Sequence, residues 1–378
     1  MTSERPWGLL ALACAAGGGL ALALAGASAG PVRAADIAAA QPGWDRQGAE
    51  RYLDGREVWW QAWDRSHKDR DTLCVSCHTQ APYGWARPLL RRDLGEPAPT
   101  GAERTMLASV EKRVQQWKLM QPFYSDIPSG PGKEVESYNA ESVLNAFILT
   151  GYDLRRGHLG EVTRTAFANA WALQSKDGPD AGAWVWQNFG LAPWESKESQ
   201  YHWAALMAVT AAKAPDHYRD DPKIAVNLAA LTAYLRGHYE TQPLLNKLVA
   251  LWAAAYFPDV MSPAERARLT DQLGRLQRPD GGWSLTDLGP WKRVDTSPAP
   301  ALSDGYATAV TVLVLEEIGG EDPYVTRGRR WLMANQDRAT GAWTSSSVNK
   351  ARDPGSPPGL FMTDAATSYA VLALEDRR

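Results

Sequence analysis

RGRRWLMANQDRATGAW, residues 327–343, ends one helical pattern and leads into the next. Its glutamine and tryptophan recur in QRPDGGW at residues 277–283 and, with a longer spacer, in WALQ and GAW between residues 171 and 184. A glutamine amide can hydrogen-bond the free backbone groups at the end of a neighbouring helix, while a tryptophan packs over the turn. The repeat therefore predicts joints that connect successive pairs of helices.

Around these joints, the chain from residue 100 onward shows ten helical patterns in five pairs. Each pair combines an amphipathic, charged helix with one that is apolar nearly all round, and the pairs recur at about 50 residues. This alternation predicts an outer and an inner layer, forming a closed ring or a curved solenoid. The outer helices are predicted at 100–117, 161–174, 221–238, 262–277 and 322–336, and the inner ones at 137–150, 198–212, 243–257, 303–318 and 363–374.

The joints resemble the Gln-Trp repeats of the squalene-hopene cyclase and oxidosqualene cyclase superfamily. The resemblance covers roughly residues 100–378 and implies an all-α fold, an alpha/alpha toroid of six helical hairpins that protein prenyltransferases also adopt. Since five pairs are visible, either a helix predicted at 45–67 and the segment after it supply the sixth, or the ring stays open. The resemblance also implies a central cavity suited to an isoprenoid or another apolar ligand.

Two departures from this superfamily limit the chemistry it implies. The acidic Asp-x-Asp-Asp motif of squalene-hopene cyclases is absent, so cationic cyclisation is not supported. Residues 100–378 contain no cysteine, so the zinc site of protein prenyltransferases is not expected. His202 and Asp304 are the first acid/base candidates among polar residues near the inner-helix starts, where helix capping is the commoner role. These residues are Glu136, Tyr138, Asn139, Glu198, Tyr201, His202, Asn246, Asp304, Tyr306 and Asp364.

A second motif, Cys74-Val75-Ser76-Cys77-His78, precedes the helical pairs. Two thiols separated by two residues and followed by a histidine form the signature of covalent haem attachment in c-type cytochromes. There, thioethers hold the porphyrin and the histidine ligates the iron, so one haem c is predicted. A redox dithiol is the alternative. A zinc site would need further soft ligands, and the only other cysteine is Cys14.

The sequence does not identify the sixth iron ligand. Met120, in a proline-containing turn, is the tentative candidate, with ordinary packing as its alternative; methionine ligation would suit electron transfer. His67 or His202 would lower the potential, and an open position would suit oxygen or peroxide chemistry. Aromatic residues predicted to cover the haem, or else to pack in an ordinary core, are Tyr52, Trp59, Trp60, Trp63, Tyr83 and Trp85.

Three basic residues follow the motif: Arg87, Arg91 and Arg92. We expect them either to pair with haem propionates or to form a solvated basic turn. At the N-terminus, an apolar run from residue 7 to 27 ends in small residues. It predicts a cleaved secretory signal, with a membrane anchor as the alternative. A net charge of -3 gives no basic footprint for nucleic acid.

These patterns divide the chain into a signal peptide at 1–35, a haem-binding segment at 36–99 and a cyclase-like toroid at 100–378. We therefore expect an exported, periplasmic haem protein. The first hypothesis is a haem-dependent oxidoreductase that exchanges electrons with an isoprenoid-like ligand or a redox partner protein. The second is a non-catalytic electron carrier, sensor or ligand-binding scaffold, and the third is a terpene cyclase with an unrelated acid. Enzymatic activity stays open between these hypotheses.

Overall fold

The computed structural model describes residues 43–125, 131–319 and 323–375. Within these ranges the protein is all-α, with twelve α-helices and one short antiparallel hairpin of β1 (His67–Lys68) and β2 (Thr72–Leu73). None of the helices in these ranges is long and apolar enough to cross a bilayer. The predicted signal peptide at 1–35, including Cys14, lies outside the described residues.

Half-exposed and buried helices alternate along the chain, as the two kinds of sequence pattern predict. A half-exposed helix keeps one polar face toward water, whereas a helix that is apolar all round must be covered by neighbours. The half-exposed helices are α1 (Arg46–Ala62), α3 (Gly101–Gln115), α5 (Glu161–Leu173), α7 (Ala225–His238), α9 (Pro263–Leu276) and α11 (Pro323–Ala334). The buried helices are α2 (Gln80–Leu94), α4 (Pro131–Arg156), α6 (Ser199–Lys213), α8 (Leu244–Tyr256), α10 (Gly305–Gly319) and α12 (Phe361–Glu375).

The buried helices contact one another in a complete circuit. Each of α2, α4, α6, α8 and α10 contacts the next buried helix along the chain, and α12 contacts α2. On the outside, α1 contacts α2, α3 and α12. Helices α1 and α2 thus form a further pair of one half-exposed and one buried helix, before the five pairs predicted from residue 100 onward.

The three Gln-Trp joints share one geometry and confirm the predicted role of the glutamine. In each joint, the glutamine Nε2 donates at 2.8 Å to the carbonyl of the glycine in its own turn. The same nitrogen reaches a carbonyl near the start of the following outer helix. The acceptors of Gln174, Gln277 and Gln336 are the carbonyls of Asn227, Tyr324 and Asp45, at 3.0, 2.8 and 2.8 Å.

The third joint links the end of the described chain to its beginning. Gln336 both donates to the Asp45 carbonyl and accepts from the Asp45 N–H at 2.7 Å, and Asp45 caps α1. Trp343 lies fully buried in this joint, where its indole N–H donates to the Leu332 carbonyl at 2.7 Å. Residue 341 is a glycine with φ of 81° that packs directly against the backbone of Gly48, so no side chain would fit there.

Three sequence predictions about helix limits are wrong. Helix α1 ends at Ala62 rather than near His67, which belongs to the hairpin. Arg87, Arg91 and Arg92 lie on α2 rather than in a basic turn, because α2 continues through Pro88. The inner helix predicted at 137–150 does not end there, because α4 continues through Gly151 to Arg156. Gly151 instead allows α4 to approach the backbone of α2 closely.

Candidate haem-attachment site

The Cys-x-x-Cys-His motif lies between β2 and the first turn of α2, and contacts from α1 and α3 hold its first residue and the residue before it. The indole N–H of Trp60 on α1 donates to the Cys74 carbonyl at 2.8 Å. The Cys74 N–H donates to the Ser66 carbonyl at 2.6 Å, and the Leu73 N–H donates to the Ser109 hydroxyl on α3 at 2.8 Å. The motif is therefore held at defined positions by contacts on both sides of it.

The imidazole of His78 is buried among aromatic rings. Phe361 stacks on it with ring centroids 3.7 Å apart, and Trp60 meets it edge-on at 5.6 Å. Burial, together with the positive charges of Arg56 and Arg352, lowers the pKa of His78 to about 3. The ring is therefore neutral at physiological pH, which is the form of histidine that binds a metal.

Hydroxyl groups contact one of the two ring nitrogens of His78. Nδ1 lies 2.9 Å from the Ser76 hydroxyl and 3.0 Å from the Thr79 hydroxyl. The Thr79 hydroxyl donates its only proton to Asp364 at 2.7 Å, so toward His78 it can only accept. The Ser76 hydroxyl also accepts from the backbone N–H groups of His78 and Thr79, and its own proton can point at Nδ1, so Ser76 fits either tautomer. Because Thr79 fits only a protonated Nδ1, we assign the ring proton to Nδ1, which leaves the Nε2 lone pair for an iron atom.

The two thiols are shielded from water. Cys74 is half-buried and Cys77 is buried, and both are free. Burial raises the pKa of the Cys74 thiol to about 12 and that of Cys77 well above its usual value. A redox dithiol requires a lowered thiol pKa, so this environment disfavours the dithiol alternative. Among the described residues, no group of three or more His, Cys, Asp or Glu side chains is placed to hold a metal ion.

A cavity of about 510 Å³ opens beside the motif. Its volume lies within the usual range for cofactor sites, and its walls combine aromatic rings with charged groups. A porphyrin needs both, because its rings are apolar and its propionates are anionic. The chemistry of the lining therefore fits a haem. Cys74 and His78 line the cavity, whereas Cys77 is buried beside it and is not part of the lining. The lining residues are Trp60, Trp63, Asp64, Arg65, His67, Lys68, Cys74, His78, Phe123, Tyr124, Glu195 and Phe361.

The predicted aromatic cover divides into two groups. Trp60 and Trp63 line the cavity, and Trp59 stacks on Trp63 with centroids 5.4 Å apart. Tyr83 and Trp85 instead pack in the core, where the Tyr83 hydroxyl donates to Asp54 and the Trp85 indole donates to the Phe147 carbonyl. Tyr52, the sixth member, donates to Asp364 behind His78 at 2.8 Å.

The predicted basic residues form structural ion pairs. Arg87 is fully buried and donates to Asp54 and Glu96, while Arg91 pairs with buried Glu103. Arg92 pairs with the adjacent Asp93. The cations that line the cavity are Arg65 and Lys68, which the sequence reasoning missed even though they directly precede the motif.

The three sixth-ligand candidates lie in different places. Met120 is buried after the turn Trp117–Leu119, and it is not among the residues that line the cavity. His67 lines the cavity on β1. His202 lies on α6, where burial lowers its pKa to about 4 and where its Nδ1 has no hydrogen-bond partner among the described residues.

The polar residues at the inner-helix starts have several roles. Asp304 accepts hydrogen bonds from the backbone N–H groups of Ala307 and Leu285 and from the Ser345 hydroxyl, so capping accounts for it. The Tyr306 hydroxyl contacts the indole N–H of Trp194 at 3.3 Å. Asp364 alone joins the haem-attachment site, through Thr79. Glu136 accepts from the Asn188 N–H, the Tyr201 hydroxyl donates to the Leu235 carbonyl on α7, and the Asn246 amide donates to the Glu198 carbonyl.

Residues that sequence reasoning did not connect with this site come from distant parts of the chain. Arg56 lies on α1, Glu195 lies in the loop before α6, and Phe361 begins α12. No spacing pattern links them to residue 78, so only the packed fold could identify them. No protein-family model matches the chain. A search of curated proteins also finds no match.

Proposed function

We propose that this protein is an exported c-type haem protein that transfers electrons. Cys74 and Cys77 would hold one haem through thioethers, and His78 would ligate its iron. The observation that carries this proposal is the state of His78: a neutral ring, with Nδ1 contacted by hydroxyl groups, beside an aromatic cavity that Cys74 also lines. That state is the one a histidine adopts as a metal ligand.

The proposed architecture is an alpha/alpha toroid of six helical hairpins, like that of the squalene-hopene cyclase superfamily. The circuit of contacts among the buried helices supports it, since α12 contacts α2. The joint between Gln336 and Asp45 supports it further, because it connects the last outer helix to the first. In such a ring the haem site would lie at the seam where the two ends of the chain meet.

Residues of this chain would bind the proposed haem and shield its iron ligand from water. When bound, the haem would supply a one-electron redox centre. His78 would present Nε2 to the iron, while Phe361 would cover one face of its imidazole ring and Trp60 would pack against it at a steep angle. Arg65 and Lys68 line the cavity together with the acidic Asp64 and Glu195, and these two cations would be the partners for the propionates.

Electron exchange with a redox partner protein is the activity that the geometry supports best. Trp60 contacts the His78 ring and lies 5.3 Å from Trp63, which in turn stacks on Trp59. Both Trp59 and Trp63 are half-exposed. Aromatic contacts therefore extend from the proposed iron ligand to the protein surface.

An oxidoreductase acting on an isoprenoid-like ligand is the second candidate, since Phe123 and Tyr124 add aromatic rings to the cavity wall, where such a ligand would pack beside the haem. The two candidates separate when the reduced protein is mixed with either a small soluble c-type cytochrome or a short-chain isoprenoid quinone. Rapid reoxidation by the cytochrome alone supports the first candidate. Rapid reoxidation by the quinone alone supports the second.

The proposal as a whole is tested by expressing the full chain together with a periplasmic cytochrome c maturation system. We expect a red protein whose pyridine haemochrome spectrum is that of a haem with both vinyl groups saturated. His78→Ala should change the absorption spectrum of the folded, haem-loaded protein, because that spectrum depends on the iron ligands. The control His217→Ala, at an exposed position, should leave it unchanged. A colourless wild-type protein, or equal spectra for wild type and His78→Ala, would contradict the proposal.

A further inference from the structure

Behind His78 lies a cluster of polar side chains from opposite ends of the chain. Asp364 belongs to the first turn of α12, Tyr52 and Arg56 belong to α1, and Thr79 directly precedes α2. The Asp364 carboxylate is 1% exposed. Such a group normally needs a structural or functional reason to be buried, because taking a carboxylate out of water is costly.

All of the acceptor positions of this carboxylate are used. Oδ1 accepts from Tyr52 at 2.8 Å and from Arg56 Nε at 2.7 Å. Oδ2 accepts from Arg56 Nη2 at 2.9 Å and from the Thr79 hydroxyl at 2.7 Å. Arg56 additionally donates to the Pro357 carbonyl at 3.1 Å. Burial raises the pKa of Asp364, whereas Arg56, Thr79 and Tyr52 oppose that shift by donating to the carboxylate form. The carboxylate is therefore directed at three donors in fixed positions.

Stability alone does not explain this arrangement. A buried ion pair is often no more stable than apolar residues of the same volume, so its presence calls for another role. The Thr79 hydroxyl makes no capping bond to α2, although Thr79 occupies the N-cap position. Its two polar contacts are Asp364 on one side and His78 Nδ1 on the other. Thr79 thus connects the carboxylate to the imidazole.

We propose that Asp364 is a positioning residue for the iron ligand and acts on His78 through Thr79. By accepting the Thr79 proton, Asp364 leaves that hydroxyl able only to accept from His78, which holds the ring proton on Nδ1 and the lone pair on Nε2. The negative charge behind the ring also increases electron donation to iron and lowers its reduction potential. The effect on the potential rests on the proposed haem attachment, whereas the effect on the tautomer does not.

Thr79→Val tests the connection, because valine keeps the shape of threonine and removes the hydroxyl. In the haem-loaded protein, we expect Thr79→Val to shift the midpoint potential to a more positive value. Thr79→Ser should restore the wild-type potential. The control Thr210→Val removes a hydroxyl that is equally buried on α6 and bonds its own helix, and it should cause no shift. A Thr79→Val potential equal to wild type would overturn the role in tuning, as would a Thr79→Ser shift as large as that of valine.

The tautomer is measured separately in full-length protein produced without haem. ¹⁵N chemical shifts of His78 should show a proton on Nδ1 in the wild type, and Thr79→Val or Asp364→Asn should move population toward the Nε2–H form. A wild-type ring protonated on Nε2, or a tautomer unaffected by both variants, would overturn the proposal. If the protein fails to bind haem but shows the expected tautomer, then the proposed function fails while the role of Asp364 and Thr79 in orienting His78 stands.

Discussion

The Gln-Trp joints and the haem-attachment site are built in opposite ways. Each joint uses a glutamine and a tryptophan that lie close in sequence, and the same hydrogen bonds occur in three copies. The site around His78 occurs once and combines side chains separated by up to about three hundred residues, such as Arg56 and Asp364. The joints bond mainly to backbone carbonyls, whereas the site buries ionisable side chains. The repeated joints therefore fit a role in maintaining the fold, and the candidate site differs from them in burying ionisable side chains.

The largest expected effect on stability comes from removing a joint tryptophan. Trp343→Ala deletes a fully buried indole together with its hydrogen bond to the Leu332 carbonyl, so we expect a loss of about 3–5 kcal/mol in unfolding free energy. Trp59→Ala, at the half-exposed edge of the site, is the matched control and should cost much less. Urea denaturation followed by circular dichroism measures both. If Trp343→Ala and Trp59→Ala lost the same unfolding free energy, the joints would not contribute more to stability than the site does.

A buried carboxyl near the site should make stability depend on pH. Glu57 is fully buried, and its Oε1 accepts from Gln80 and Gln61 while its Oε2 has no partner among the described residues. Burial raises the pKa of Glu57 to about 7, from 4.5. The folded state therefore holds the Glu57 proton more tightly than the unfolded state does. The stability due to this group is complete below pH 4.5 and is lost as pH rises to about 7, a change of about 3 kcal/mol.

Glu57→Gln keeps the shape of the side chain and removes the titration. Denaturant unfolding from pH 4 to pH 8 should show that wild type loses stability relative to Glu57→Gln as pH rises. Glu161→Gln, at an exposed position, controls for a change in net charge. If the unfolding free energies of wild type and Glu57→Gln changed with pH in parallel, burial would not raise the pKa of Glu57 in the folded state. The site would then not differ from the joints in the cost of a buried ionisable group.

A smaller effect is expected from the glutamine that links the ends of the chain. Gln336→Ala removes hydrogen bonds to both the N–H and the carbonyl of Asp45, so part-buried backbone groups lose a partner. We expect a loss of about 1–3 kcal/mol, similar to that of Gln277→Ala at the preceding joint. Gln272→Ala, at an exposed position on α9, should have almost no effect. A Gln336→Ala loss no greater than this control would show that the third joint does not fasten the ends together.

The same contrast explains what could be predicted from the sequence. The outer and inner helices after residue 100 were predictable because periodicity and the repeated joints report on local packing. Helix α2 was missed because Pro82 and Pro88 interrupt its pattern, although Pro82 lies in its first turn, where a missing N–H costs little. The Cys-x-x-Cys-His motif was visible because its residues are adjacent. The carboxylate that faces it could not be assigned, since Asp364 reads equally well as a helix cap and only folding brings it to Thr79.

Covalent attachment of haem at Cys74 and Cys77 is the central claim, and the intact mass of the protein under denaturing conditions tests it most directly. After expression with a cytochrome c maturation system, wild type should carry the mass of the chain without its signal peptide plus one haem. The variant with both Cys74→Ala and Cys77→Ala should carry the chain mass alone and retain its helical circular dichroism spectrum. A wild-type mass that lacks the haem, or a double variant that still carries it, would contradict the claim.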